Sequence, residues 1–283
     1  PDIDRGTGGP DDFGYSWKDS NEPGGPEFNW VDISETGDDS GIHCDDCIAN
    51  ADMGFNFNFY GNDYTSVTIG ENGYITFEQD YWSYYTNQPI EDEMQPWNMI
   101  AAFWDDHYTP SGGIIYYQEI DSQFIVQWDE VHHISDYESV FSYQIILSGT
   151  DNSITFQYLD MTGNYGDGHS ATIGIENTGG TDGLQVLFNN GEYMEDELAI
   201  RFTKVPSWIN ILSDNGNIPA GNDPHDITVN LSAPTGGELT IFNADIIITS
   251  NDLENPEESI EVEMTVIPTF PEIEVETDNI EVD

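Results

Sequence analysis

The chain has 283 residues, of which 55 are acidic and 4 basic, for a formal charge of −51. That imbalance excludes nucleic acid as a partner and disfavours an anionic membrane surface, because both demand a basic face. With 37% hydrophobic and 13% aromatic residues the chain can still build cores, and its length allows about two domains.

Charges this dense repel one another unless salt or divalent cations screen them, and at ~0.5 M salt the screening length is only a few Å. The expected setting is therefore extracellular or at the cell surface, in a saline or calcium-rich medium. No apolar run approaches the ~20 residues of a membrane span, so no membrane insertion is expected. The chain opens at Pro1-Asp2 without an apolar leader, which reads as a processed mature chain or a trimmed piece.

Residues 11–39 are punctuated by Gly14, Pro23, Gly24, Gly25 and Pro26, with Phe13, Tyr15, Trp17, Phe28 and Trp30 at spacing two. Aromatics alternating with polar residues predict short edge strands laid over a larger sheet. Residues 38–52 predict an acidic loop around Cys44 and Cys47. The His-Cys-Asp-Asp-Cys run lacks the His after the second Cys that haem attachment requires, and the βαβ context of a redox motif. Zinc would need two more soft ligands near His43. The favoured reading is a small-loop disulfide, Cys44–Cys47, in an oxidising compartment.

From Phe55 the pattern is regular. Strands are predicted at 55–59, 66–69 and 74–77, the last two joined by Glu71-Asn72-Gly73, a hairpin signal because Asn-Gly accepts positive φ. Further strands follow at 99–104, 113–117, 123–128, 140–147, 153–158, 171–175, 184–188 and 198–202, with at most a helical turn at 91–94. Many short strands separated by turn residues predict an all-β large sandwich over residues 1–203.

Beyond Lys204 aromatics nearly vanish and Ile, Val and Thr dominate. Strands are predicted at 209–212, 227–231, 238–242, 245–249 and 259–267. An immunoglobulin-like sandwich has about seven strands, so residues 204–268 read as a strand-deficient one. The tail, 269–283, holds two alternating runs, Ile273-Glu274-Val275 and Ile280-Glu281-Val282, the pattern of half-buried strands.

Pro206-Ser207-Trp208, Ile218-Pro219-Ala220-Gly221 and Thr249-Ser250-Asn251-Asp252 resemble the second half of a Hydin-type immunoglobulin-like repeat of secreted prokaryotic surface proteins. Asp12-Phe13-Gly14-Tyr15, Asn72-Gly73-Tyr74, Phe103-Trp104-Asp105-Asp106 and Ala171-Thr172-Ile173-Gly174 resemble a large β-sandwich module of such proteins. The resemblance implies that strands of the form P-x-I-x-V precede the large module. Here Pro271-Glu272-Ile273-Glu274-Val275 lies at the C-terminal end instead. The expectation is a structural subunit that polymerises head-to-tail with copies of itself. Ile273, Val275, Ile280 and Val282 would act as the donor strand for a neighbour's incomplete domain. Folding of the tail in cis and membership of a tandem array stay open, and so does a non-catalytic module binding carbohydrates or surfaces.

No motif carries catalysis: neither G-x-S-x-G nor H-E-x-x-H occurs, so no enzyme is expected, and no haem or nucleotide. Calcium is the expected cofactor, since hard cations take loop carboxylates and carbonyls. The candidate ligands are Asp38, Asp39, Asp105, Asp106 and Asp182, with Asp45 and Asp46 as a further pair. The commoner use of a pair such as Asp105 and Asp106 is to fix a loop, and His107, His132, His133 and His169 are the histidines able to join them. Asn230, in Asn-Leu-Ser, fits a glycosylation acceptor on a predicted strand. Tyr81, Trp82, Tyr84 and Tyr85 form an aromatic loop able to stack on surface glycans, although core or interface packing is the commoner use.

Overall fold

The computed structural model describes residues 6–191, 193–204, 209–211, 229–231, 240–249 and 257–266. The chain divides into two compact units, Pro1–Val205 and Pro206–Asp283. The strands of the first are β1 (Thr7–Gly8), β2 (Tyr15–Asp19), β3 (Asp38–Asp39), β4 (Ile48–Phe59), β5 (Asn62–Gly70), β6 (Tyr74–Thr76), β7 (Met99–Trp104), β8 (Ile114–Ile120), β9 (Gln123–His133), β10 (Asp136–Ser148), β11 (Ile154–Thr162), β12 (Thr172–Glu176), β13 (Gly183–Phe188) and β14 (Leu198–Lys204). The second unit contributes β15 (Ile209–Ile211), β16 (Val229–Leu231), β17 (Thr240–Thr249) and β18 (Glu257–Val266). Among the described residues no helix is long and apolar enough to cross a membrane.

In the first unit an eight-stranded sheet runs β1-β2-β14-β11-β10-β9-β8-β3, and a six-stranded sheet runs β13-β12-β7-β6-β5-β4. All pairings are antiparallel. Phe57, Ile69 and Phe103 from the smaller sheet join Phe124, Phe141, Ile145 and Phe156 from the larger in one buried cluster, so the sheets form a sandwich. Each such side chain taken from water contributes roughly 1.5–3 kcal/mol. The all-β sandwich expected from the alternation is what the chain adopts.

The larger sheet is also covered on its outer face. Residues 26–37 are not edge strands; they cross that face as a strap. Gln127, Gln144 and Gln157 stand side by side on β9, β10 and β11, since Gln144 is in register with both others. Their amides stand in for a strand partner. The Gln157 side chain accepts from the Asn29 N–H and donates to the Asn29 carbonyl, each at 2.7 Å. Gln144 accepts from the Val31 N–H and donates to its carbonyl. Gln127 accepts from the Ile33 N–H at 3.0 Å. Ile33, Ile125 and Ile146 close a small apolar cluster beneath the strap.

Three local expectations are corrected. The acidic loop ends at Cys47, because Ile48 to Asp52 already pair with β5 from Gly70 to Ser66. In the second unit the two strands expected at 238–242 and 245–249 are one, β17, paired with β18 along ten residues. Asn243-Ala244 between them lacks a glycine or proline to break the extended chain. The turn expected at 91–94 is not helical, and the one 3-10 turn among the described residues is at Thr109–Ser111.

Candidate functional site

Three segments meet at the β5–β6 turn, Glu71-Asn72-Gly73. Gly73 has φ +83°, and a Cβ there would overlap the Phe103 carbonyl oxygen, so only glycine lets the turn press against β7. Asn72 then holds all three segments. Its side-chain amide donates to Asp46 at 3.0 Å, its side-chain oxygen accepts the His107 N–H at 2.9 Å, and its N–H donates to Ser83 at 3.0 Å. The disulfide loop, the 104–107 segment and the aromatic loop are thereby fixed together. Ser83 adds a backbone bond to the Asp46 carbonyl, and the Trp104 indole donates to that of Tyr84.

Cys44 and Cys47 are disulfide-bonded with Cα atoms 5.6 Å apart, and Asp45 and Asp46 lie in the loop this bond closes. Carboxylate oxygens of these three residues lie within 4.8 Å of one another. Burial, together with the charges of Asp46, Asp45 and Asp105, pushes the Asp106 carboxyl up to about 6 despite His133 nearby. Burial and Asp46 push Asp45 up as well. Beneath them Glu71 is fully buried and raised to about 7 by burial, although Thr109 and the Cys47 N–H bond it.

Asp105 and Asp106, neighbours in sequence, serve different places because successive residues of an extended chain face opposite ways. Asp105 is buried, accepts from Ser170 at 2.6 Å and lies 3.4 Å from His133. His107, buried and lowered to about 4 chiefly by desolvation, sits between the Asp105 carbonyl and the Tyr143 hydroxyl, at 2.9 and 2.8 Å. His132 instead bonds the Tyr137 carbonyl, and His169 pairs with Asp167.

The other candidate ligands do not join the cluster. Asp38 and Asp39 pair with β8, Asp39 facing His43 at 3.2 Å. Asp182 caps the Asp12 N–H. Asn230 is exposed on β16, opposite Asn210. Ile273, Val275, Ile280 and Val282 lie outside the described residues.

Beside the cluster opens a groove of about 750 Å³ lined by Asp46, Trp82, Tyr84, Tyr85, Gln88 and Met94, among others. Core packing does not account for the loop's aromatics: Tyr81 is 84% exposed, Trp82 55% and Tyr85 53%. Tyr84 alone is tucked in, its ring 5.9 Å from that of Trp82 and its hydroxyl bonded to Gln95. The far limb of the loop is anchored on the β12–β13 hairpin, where Gln185 accepts the Ile90 N–H and Thr172 donates to the Gln88 carbonyl. Glu71, Asn72 and Ser83, which assemble this site, carry no sequence signal beyond the turn itself.

The sequence model of a family described as NIDO related matches residues 26–204. That span is well over half of the chain. The chain belongs to the NIDO-related family. The NIDO-related match begins where the glutamine-held strap begins and ends with β14, so it takes in the strap, nearly all of both sheets and the whole groove. This membership makes the protein an extracellular module. It does not reach the second unit, for which the Hydin-type resemblance remains a reading of sequence alone. No curated protein and no solved structure matches the chain.

Proposed function

We propose that this NIDO-related chain is a non-catalytic binding module that attaches its protein to extracellular glycan surfaces through the groove at the aromatic loop. The observation that carries this reading is the concentration of exposed apolar side chains. Tyr81, Trp82, Tyr85 and Met94, half of the large hydrophobics exposed among the described residues, lie within fourteen positions of one loop. Flat aromatic faces stack on sugar rings, and the amides of Gln88 and Gln95 and the Asp46 carboxylate supply the few polar contacts that orient a ligand. The double variant Trp82→Ala/Tyr85→Ala is expected to lose retention on immobilised polysaccharides by at least about tenfold, at an unchanged melting temperature. Undiminished retention of that variant would remove the groove from the function.

Calcium is the cofactor proposed for Asp45, Asp46 and Asp106, whose clustered oxygens suit a hard cation. Removing calcium with EDTA is expected to lower the melting temperature by about 3–6 °C, the ~1.4 kcal/mol of a site held at about ten times its Kd. Equal melting curves with and without the chelator would take calcium out of the account. Because the donor-strand residues lie outside the described structure, assembly into filaments is not part of the proposal.

A further inference from the structure

We infer that the ligand of the groove is a cationic sugar, a glycan carrying free amino groups, with its rings on Trp82 and Tyr85 and an ammonium group toward Asp46. This rests on the reading that the groove is the binding site, and it adds the charge of what binds there. Asp46 forms part of the groove wall, and Asp45 and Asp106 stand behind it within 4.8 Å. The loop itself adds Glu78, Asp80, Glu91, Asp92 and Glu93 and contains no lysine or arginine.

No described lysine or arginine is available to neutralise this rim. Lys18 donates to the Pro23 carbonyl, Arg201 pairs with Asp151 at 2.7 Å, and Lys204 lies 3.7 Å over the Phe13 ring. Asp80 lies close to Tyr84 of the rim with one carboxylate oxygen buried and unpartnered. Even a divalent ion on the three-carboxylate cluster would leave that cluster one negative charge. A sulfated or uronic-acid glycan would meet repulsion at every step of its approach, and a neutral glycan would gain stacking and hydroxyl hydrogen bonds without ionic attraction. An amino sugar gains stacking, a charge-assisted hydrogen bond and cation–π contact with the aromatic rings of the same wall.

The test is isothermal titration of the whole chain with a β-1,4-linked glucosamine trimer and with its fully N-acetylated counterpart. Near-neutral buffer of low ionic strength containing EDTA keeps the carboxylates and a large share of the amines charged and removes calcium. The glucosamine trimer is expected to bind about tenfold more tightly, an advantage that shrinks as salt is added. Asp46→Asn keeps a side chain able to accept the Asn72 amide and is expected to erase that advantage, so that the two trimers bind with equal affinity. Trp82→Ala is expected to weaken both. Equal affinities for the two trimers would overturn the cationic ligand and leave the groove as a binding site. Binding of neither would overturn both.

Discussion

Replacing Gln144 by leucine is expected to lower the melting temperature of the first unit by about 6–12 °C, although the side chain keeps nearly its volume. Gln144 is fully buried at the middle of the β9–β11 glutamine row, bonded to both backbone groups of Val31 and to Gln127. Leucine fills the space but leaves the Val31 N–H and carbonyl without the partner that replaces water under the strap. Unpaired buried polar groups cost about 1–3 kcal/mol each, so a loss of about 3 kcal/mol is expected, worth 2–4 °C per kcal/mol at this size. Leucine at the exposed Gln123, on the same sheet, is the control and should cost less than about 0.5 kcal/mol. Calorimetry reads the shift, and hydrogen exchange at residues 29–33 locates it. If both variants melt together, the strap is held by its apolar residues and the glutamines are incidental.

This row also marks the limit of what the sequence shows. Alternating Phe55, Phe57 and Phe59, and Asn72-Gly73 after Ser66 to Ile69, disclose strands because each pattern is local and periodic. Three glutamines spaced along β9, β10 and β11 become a row only once the register is known, and the register is a property of pairing. The site divides in the same way. Asp45 and Asp46 are recognisable as an acidic pair in a disulfide loop, but Asp106 joins them from sixty residues away. Its neighbour Asp105, grouped with it by proximity in sequence, turns into the core toward Ser170 and His133. The aromatic loop is visible as composition. That Tyr81, Trp82 and Tyr85 face solvent is not, since the same residues in the same order serve equally well in a core.

Between about pH 4.5 and 8 the stability of the first unit is expected to fall, and Glu176→Gln is expected to remove much of that fall. Glu176 ends β12 with one carboxylate oxygen accepting the Asp92 N–H at 3.0 Å and the other buried without a partner. Its burial follows from glycines. A Cβ on Gly180 would overlap the Asp92 carbonyl oxygen, and one on Gly183 would lie 2.7 Å from Ile90, so the far limb of the aromatic loop closes down on the hairpin. Burial, then the charges of Asp92 and Glu91 against the Asp92 hydrogen bond, raise the carboxyl to about 8, from 4.5 in the unfolded chain. A raised carboxyl favours the folded state while protonated. Its contribution is complete below about pH 4.5 and is lost as the pH climbs through 8. Each pH unit between those two values corresponds to about 1.4 kcal/mol, and screening by solvent around Asp92 reduces the sum to about 2 kcal/mol. Glutamine keeps an oxygen for the Asp92 N–H and carries no charge, so the variant should match the parent near pH 4.5 and melt several degrees higher near pH 8. Because the anchored limb carries Gln88 and Met94 of the groove, retention on polysaccharide should decline over the same pH range in the parent and less in the variant. Parallel melting curves across the range would mean that Glu176 ionises without cost and that the anchoring of the loop is indifferent to its charge.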